Sequence, residues 1–265
     1  MFQANCVIGI IAPEISLKSK KVRKQMELIV KKNVVLALEK QKIFPTMVYV
    51  STGRLFIFTS EIEKTIPVLK QVFGLYSLIP ARVENVFDFE SICKTGLNLS
   101  LNKISGEFAV RCKSFVKEKK SKEFEIELGA RLLDNISNLK VNLSNPKTQL
   151  NLLVFKDKTF FYFDSFAGAK GMPVSSQGNV VLISKNIVDS KKLANSLLKF
   201  GCKVFYVGEK FVDESFCLKN ISIEKAMEFY ENNSIEAVFS DTKTLAQKKI
   251  IDKELGLKTF APLIF

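Results

Sequence analysis

The chain has 265 residues, 47% of them hydrophobic, with 40 Lys and Arg against 27 Asp and Glu for a net charge of +13. That length can bury more than one core, and so basic a balance points to a polyanionic ligand, nucleic acid above all. Histidine is absent, which excludes imidazole bases, Cys–His and Ser–His nucleophile pairs and His-containing zinc sites.

Cys6 to Ala12 is an apolar run stopped by Pro13 and predicts a buried strand. From Lys18 to Gln41 apolar residues recur at helical spacing (Val22, Met26, Ile29, Val30, Val34, Ala37, Leu38), opposite a face of Lys20, Arg23, Lys24 and Lys31. Strands follow at Thr46–Ser51 and Arg54–Thr59, then a helix from Glu61 to Phe73 capped by Gly74, then a strand from Leu75. That order is a ferredoxin-like unit, assigned to residues 1–80. A helix at Phe87–Asn102, a strand at Glu107–Phe115, an amphipathic helix at Ser121–Ile136, a strand at Leu139–Leu143 and a hairpin about Asp157-Lys158 form a second α+β unit, residues 81–168. Residues 169–179 are rich in Gly, Ser and Pro and read as a linker. Residues 180–265 alternate strand and helix, with strands expected at Val180–Ser184, Lys203–Val207 and Ala237–Ser240 and helices at Ser190–Phe200, Glu224–Glu231 and near Leu245–Leu255, which predicts a small α/β domain with a mostly parallel sheet.

Charge follows this division. Residues 1–174 hold 27 Lys and Arg against 16 Asp and Glu, and residues 175–265 hold 13 against 11. A polyanion-binding function is therefore expected in the first two units. The five cysteines, Cys6, Cys93, Cys112, Cys202 and Cys217, show no CxxC spacing. This excludes a zinc ribbon and a thioredoxin motif and fits reduced thiols in a cytoplasmic protein without a metal site. No apolar run approaches the roughly 18 residues of a membrane span.

Several stretches together resemble the tRNA thiouridine synthetases (tRNA sulfurtransferases). These are Glu14-Ile15-Ser16-Leu17-Lys18, Gly53-Arg54-Leu55-Phe56-Ile57, Val72-Phe73-Gly74-Leu75 with Ile79-Pro80-Ala81, and Phe108-Ala109-Val110-Arg111-Cys112-Lys113. Glu127-Leu128-Gly129-Ala130, Lys140-Val141-Asn142-Leu143 with Asn145-Pro146, and Gly171-Met172-Pro173-Val174 continue the series in family order. The resemblance implies a ferredoxin-like domain, a THUMP domain over 81–168 and a PP-loop-like domain over 180–265. It also implies tRNA as partner, recognised at the acceptor stem and CCA end. Duplex RNA is read through phosphates and 2′-hydroxyls, so the expected contacts are Lys18, Lys20, Lys21, Arg23, Arg111, Lys113, Lys117, Lys119, Lys120, Arg131 and Lys170. Phe115 and Met172 are weighed as base-stacking groups and more readily fit a core.

The last domain departs from the family pattern. A PP-loop needs glycines where backbone N–H groups cradle pyrophosphate, and here the stretch is Ser184-Lys185-Asn186-Ile187-Val188-Asp189-Ser190. Ser240-Asp241 stands where the family has Thr-Gly, and Leu245-Ala246-Gln247 lacks the glycine of Leu-Gly-Gln. Ser184, Asp189, Ser190 and Gln247 are the nucleotide-site remnant, although Asp and Ser also suit an ordinary helix start. The expectation is a tRNA-binding protein without catalysis or cofactor of its own, serving a separate tRNA-modifying enzyme. The rival is an active sulfurtransferase using ATP, magnesium and Cys217 as the persulfide-carrying thiol. A third expectation is a homodimer in which this last domain is chiefly an assembly surface; its apolar Phe260–Phe265 fits an interface and equally a last core strand.

Overall fold

The computed structural model describes residues 2–117, 120–208, 218–232, 234–256 and 258–262. The first unit comprises β1 (Cys6–Ile11), α1 (Pro13–Ser16), α2 (Lys20–Lys40), β2 (Met47–Ser51), β3 (Arg54–Phe58), α3 (Ile62–Leu69) and β4 (Leu75–Glu84). The expected helix from Lys18 starts at Lys20, because Ser19 is extended at ψ 153° and a separate turn, α1, opens on Pro13. Thr52 and Gly53, at φ 51° and 71°, join β2 to β3 through two left-handed residues, the geometry that suits a two-residue hairpin.

The second unit comprises α4 (Phe89–Ser100), β5 (Glu107–Ser114), α5 (Ser121–Asn135), β6 (Lys140–Val141), β7 (Thr148–Val154), β8 (Thr159–Tyr162) and β9 (Phe166–Ala167). It shares a sheet with the first, in the order β2-β3-β1-β4-β8-β7-β5-β6, with β9 also on β4. The ten-residue β4 joins them. Its first part pairs with β1 (Ser77 opposite Ile10, Ala81 opposite Cys6), and its last residues pair with β8 (Arg82 opposite Phe161, Glu84 opposite Thr159).

Alternation of side chains gives this sheet two buried faces. On one, Val7, Leu55 and Leu78 pack under Val30, Val34 and Leu38 of α2, and Phe108, Leu152 and Phe161 pack under Phe124, Leu128 and Leu132 of α5. On the other no helix is needed. Cys6, Ile8, Phe56 and Ile79 of the first unit meet Leu153 and Phe160 of the second, with the Phe56 and Phe160 rings 4.9 Å apart. Burying each ring is worth about 2–3 kcal/mol, so this shared face makes the two units lean on one another.

The third unit comprises β10 (Asn179–Ile183), α6 (Ile187–Lys199), β11 (Lys203–Val207), β12 (Leu218–Asn220), α7 (Ile223–Glu231), β13 (Ala237–Ser240) and α8 (Leu245–Leu255). Its sheet, β12-β11-β10-β13, is parallel throughout. Val180 and Leu182 pack on Leu193 and Leu197 of α6, while Val181 and Ile183 pack on Ala226 of α7 and Ile251 of α8. The fold is thus α+β in its first two units and α/β with a parallel sheet in the third.

Residues 168–178 are strapped to both sides. Gly168 and Lys170 donate to the carbonyls of Tyr76 and Leu75, and the Lys170 carbonyl accepts from Gly74. The Asn33 side chain donates to the Val174 carbonyl at 3.0 Å. Further on, Met172 donates to the Lys199 carbonyl and Ser176 to that of Gly201. Gly171, at φ 71°, lies so close that an added Cβ would stand 2.5 Å from the Lys199 carbonyl oxygen. A segment composed like a flexible linker is held by its backbone, which its composition does not reveal.

Candidate nucleic-acid interface and a filled anion loop

The expected RNA contacts do not share one environment. Lys18, Lys20 and Lys21 are exposed around the start of α2. The first turn of that helix holds no acidic residue, and cations there oppose the helix dipole. The arrangement costs stability locally. Arg23, one turn on, lies 3.9 Å from Glu27. At the end of β5, Lys113, Lys117 and Lys120 are exposed, with Lys120 4.0 Å from Glu123; Lys119 lies outside the described residues. Arg111 donates to the Leu143 carbonyl at 2.5 Å, so part of its guanidinium holds the loop after β6.

Arg131 is taken up within the fold. Its two terminal nitrogens grip both oxygens of Glu90 at 2.8 and 2.7 Å, and its Nε donates to Glu127 at 2.7 Å. The bond from Arg131 holds the Glu90 carboxyl below the usual carboxylate range, while Glu90 and then Glu127 push the Arg131 guanidinium up. With both carboxylates in place it ties α4 to α5 and offers RNA little net charge.

Arg54, outside the expected RNA contacts, stands beside Phe115. Its guanidinium lies 5.4 Å from the centroid of Phe115, and Lys113 lies 5.5 Å from the same ring. Phe115 is itself stacked on Phe155 at 4.6 Å and packs in the shared aromatic face, so it is a core ring. Arg54 Nη1 donates to the Thr52 carbonyl, and its buried Nε has no partner among the described residues. Burial pushes the Arg54 guanidinium below its ordinary value. Two cations sharing one ring, neither paired to a carboxylate among the described residues, form an electropositive spot where the two units meet. The only sequence signal was Arg54's place in the Gly-Arg-Leu-Phe-Ile stretch. Met172 packs against the first core, and Lys170 lies over the Tyr76 ring at 5.3 Å.

In the third unit a cavity of about 450 Å³ opens beside the carboxyl ends of β10 and β13, lined by Lys185, Asn186, Asp189, Asp241, Lys243 and Gln247 among others. This is the switch point of the sheet, where the chain turns from the β11 side to the β13 side and where parallel sheets bind ligands. The loop that would cradle phosphate is already filled. Asp241, 3% exposed, accepts from the Lys185 amide at 2.9 and 3.1 Å, from the Asn186 amide at 2.6 Å and from the Ser190 hydroxyl at 2.6 Å. The Asn186 side chain caps α6, accepting from the Val188 and Asp189 amides at 3.0 and 3.2 Å. The helix therefore starts at Ile187 rather than at the expected Ser190. Ser184 and Ser190 lie with their hydroxyls 2.8 Å apart, Asp189 pairs with Lys243 at 2.5 Å, and Gln247 accepts from the Lys243 amide at 3.4 Å.

The donors that a pyrophosphate would need are thus spent on an internal carboxylate. These residues do not fit a bound pyrophosphate unless Asp241 moves away. Among the described residues no three His, Cys, Asp or Glu are grouped to hold a metal ion. Cys217 lies outside the described residues. Burial pushes the thiols of Cys6 and Cys112 up to about 12, that of Cys93 to about 11, and that of Cys202 up as well. None of these four is a thiolate nucleophile at neutral pH. Phe260, from the tail expected at an interface, bridges in parallel to Phe239 with the rings 5.5 Å apart; residues 263–265 lie outside the described set. Among the described residues no helix is long and apolar enough to cross a membrane.

Residues 7–78 match the family model of the ThiI ferredoxin-like domain, and residues 87–164 match that of the THUMP domain. A probable tRNA sulfurtransferase of Thermococcus kodakarensis is 30% identical over 213 residues, covering 76% of this chain and 55% of its own length. One of Methanocaldococcus jannaschii is 27% identical over the same shares. The chain thus spans about half the length of these curated relatives. Among solved structures, PH1313 from Pyrococcus horikoshii superposes with a TM-score of 0.80 at 20% identity, over 98% of this chain and 94% of that one. A 4-thiouridine synthetase, solved as an RNA complex with bound ATP, superposes at 0.73 and 20% identity, over 99% and 81%. At that identity the likeness concerns the fold, and it extends through the third unit. Family models, relatives and the shared sheet agree: the chain belongs to the THUMP-domain proteins that carry a ThiI ferredoxin-like domain, the family of the tRNA sulfurtransferases.

Proposed function

We propose that the chain binds tRNA at its acceptor stem and CCA end and does no ATP chemistry of its own. Support for tRNA comes from the THUMP match and from cations of the first two units that form no ion pair among the described residues: Lys18, Lys20 and Lys21 at α2, Arg54 and Lys113 at the junction, and Lys117 beyond β5. Lys120, also beyond β5, is only loosely held at 4.0 Å from Glu123. Their mixed geometry suits phosphates and shape rather than bases. The observation that carries the second half is Asp241, whose carboxylate takes the loop amides that a nucleotide's phosphate would require. In this reading the chain presents tRNA to a separate modifying enzyme in the cytoplasm. The relatives' names favour the rival reading, an ATP-dependent sulfurtransferase that uses Cys217.

Two measurements on the purified chain separate the readings. The first is binding of intact tRNA against tRNA trimmed of its CCA end. The second is calorimetry with ATP and magnesium, followed by a thiolation assay with a persulfide donor. Tighter binding of intact tRNA with no micromolar ATP binding is expected. Micromolar ATP binding with thiolation abolished in Cys217→Ser would overturn the non-catalytic half, and equal affinity for both tRNAs would overturn the acceptor-end half.

A further inference from the structure

A second basic region lies away from the α2 and β5 lysines, where the strap passes between the first and third units. A cleft of about 430 Å³ is lined by Lys70, Gln71, Phe73, Lys191, Asn195 and Lys199 among others, and none of the described residues lining it is acidic. It continues onto two exposed aromatic rings. Tyr76 is 45% and Phe166 is 39% exposed, although rings of this size are normally buried. The sheet holds both in place, since Phe166 pairs with Leu78 across β9 and β4, and Gly168 donates to the Tyr76 carbonyl. Each carries a lysine. Lys70 lies 4.8 Å from the Phe166 centroid and Lys170 5.3 Å from that of Tyr76. Among the described residues Lys70, Lys170 and Lys199 form no ion pair with a carboxylate.

Open rings rigidly presented, each beside a cation and next to a lysine-lined cleft with amide side chains, match the chemistry of unpaired nucleotides. The ring offers a stacking face, the lysines meet the phosphates, and Gln71 and Asn195 can donate to and accept from base or ribose edges. Magnitudes allow it. An exposed cation–π contact is worth about 0.5–1 kcal/mol, whereas stacking one base on an aromatic side chain is worth about 1–3 kcal/mol. An arriving base can therefore displace the ammonium group from the ring, leaving it within reach of that nucleotide's phosphate. We infer that Tyr76, Phe166 and the Lys70–Lys199 cleft form a binding site for a short single-stranded ribonucleotide segment, distinct from the phosphate contacts at α2 and β5. The inference deepens the tRNA-binding reading and rests on it for its biological ligand, but its chemistry can be tested without it.

The probe is an unstructured oligocytidine of about eight nucleotides, within the size such sites accept, used beside intact tRNA on the full chain. Phe166→Ala is expected to weaken oligocytidine binding by between about fivefold and about 150-fold, the fold-change equivalent of stacking one base. Phe166→Leu keeps an apolar side chain against Lys70 and β9 but removes the ring, and should weaken it comparably with an unchanged melting temperature. Replacing both Lys70 and Lys199 with Ala should lower the slope of log affinity against log salt by about 1.4, since each single-strand phosphate contact contributes about 0.7. Inorganic pyrophosphate at matched ionic strength should compete poorly, because it has no base to stack. The inference is overturned if the wild type does not bind the oligonucleotide. It is equally overturned if Phe166→Leu binds as tightly as the wild type, or if pyrophosphate displaces the oligonucleotide at equal concentration. Tight tRNA binding with no oligonucleotide binding would overturn this site alone. Oligonucleotide binding that depends on Phe166, with no preference for tRNA, would support the site and overturn the tRNA reading instead.

Discussion

Asp241→Ala removes one buried carboxylate and leaves the amides of Lys185 and Asn186 and the hydroxyl of Ser190 facing a small void. A stranded buried donor costs about 1–3 kcal/mol. The three donors share one acceptor and the loop can relax, so their costs do not add. A loss of about 2–5 kcal/mol is expected, since hydrogen bonds to a charged group are worth about 1.5–3 kcal/mol each and the stranded neutral donors add only in part. Against a domain stability of roughly 5–15 kcal/mol, this should make the third unit melt well below the rest. Two measurements read it: thermal denaturation, expected to split into two transitions, and hydrogen exchange at the Lys185 and Asn186 amides, expected to accelerate. The vacated space is a helix start with converging donors, which suits an anion. Pyrophosphate at a hundred times its dissociation constant should therefore return about 2.7 kcal/mol to the variant. Chloride at equal ionic strength is the control, because a chain of charge +13 responds to salt in general. A variant within about 0.5 kcal/mol of the wild type, with unchanged exchange at both amides, would refute the assignment of Asp241 as the loop's internal anion. So would equal rescue of wild type and variant by pyrophosphate.

Binding of tRNA should weaken linearly on a log–log plot against salt, and replacing Lys20 and Lys21 together with Ala should reduce the slope by about 1.4–1.8 if both meet phosphates; an unchanged slope in a titration series would remove α2 from the interface. Arg131→Ala should lower the melting temperature by loosening α4 from α5 yet change tRNA affinity less than twofold, so a large affinity loss without destabilisation would return Arg131 to the RNA site. The thiol of Cys6 is raised from 9.0 to about 12 by burial, so the unfolded chain loses this proton first as pH rises. Its contribution is complete below pH 9 and is lost between pH 9 and 12, by up to about 4 kcal/mol at 1.36 kcal/mol per pH unit. Chemical denaturation across that range should show stability falling with pH, and Cys6→Ala should flatten the fall.

Most elements were legible along the chain because their signals are local. Helical spacing in α2 and α5, alternation in β5 and the turn at Thr52-Gly53 each depend on neighbours a few residues away. The start of α6 was misplaced by three residues because Asp189 and Ser190 look like caps, while the side chain that caps is Asn186. β12 escaped notice because Leu-Lys-Asn at the edge of a sheet carries neither alternation nor a hydrophobic run.

The sequence by itself determined the basic first two units, the absence of imidazole chemistry and the loss of the loop glycines. Composition and local spacing are sufficient for such statements. Tertiary structure decided what depends on residues far apart in the chain. It brought Asp241 onto the loop at 185–186, tied Arg131 to Glu90, set Arg54 over Phe115, and fixed residues 168–178 between α2 and the end of α6. Each is a contact across dozens of positions, and a charge or a glycine shows where it can act only once its partner is in place.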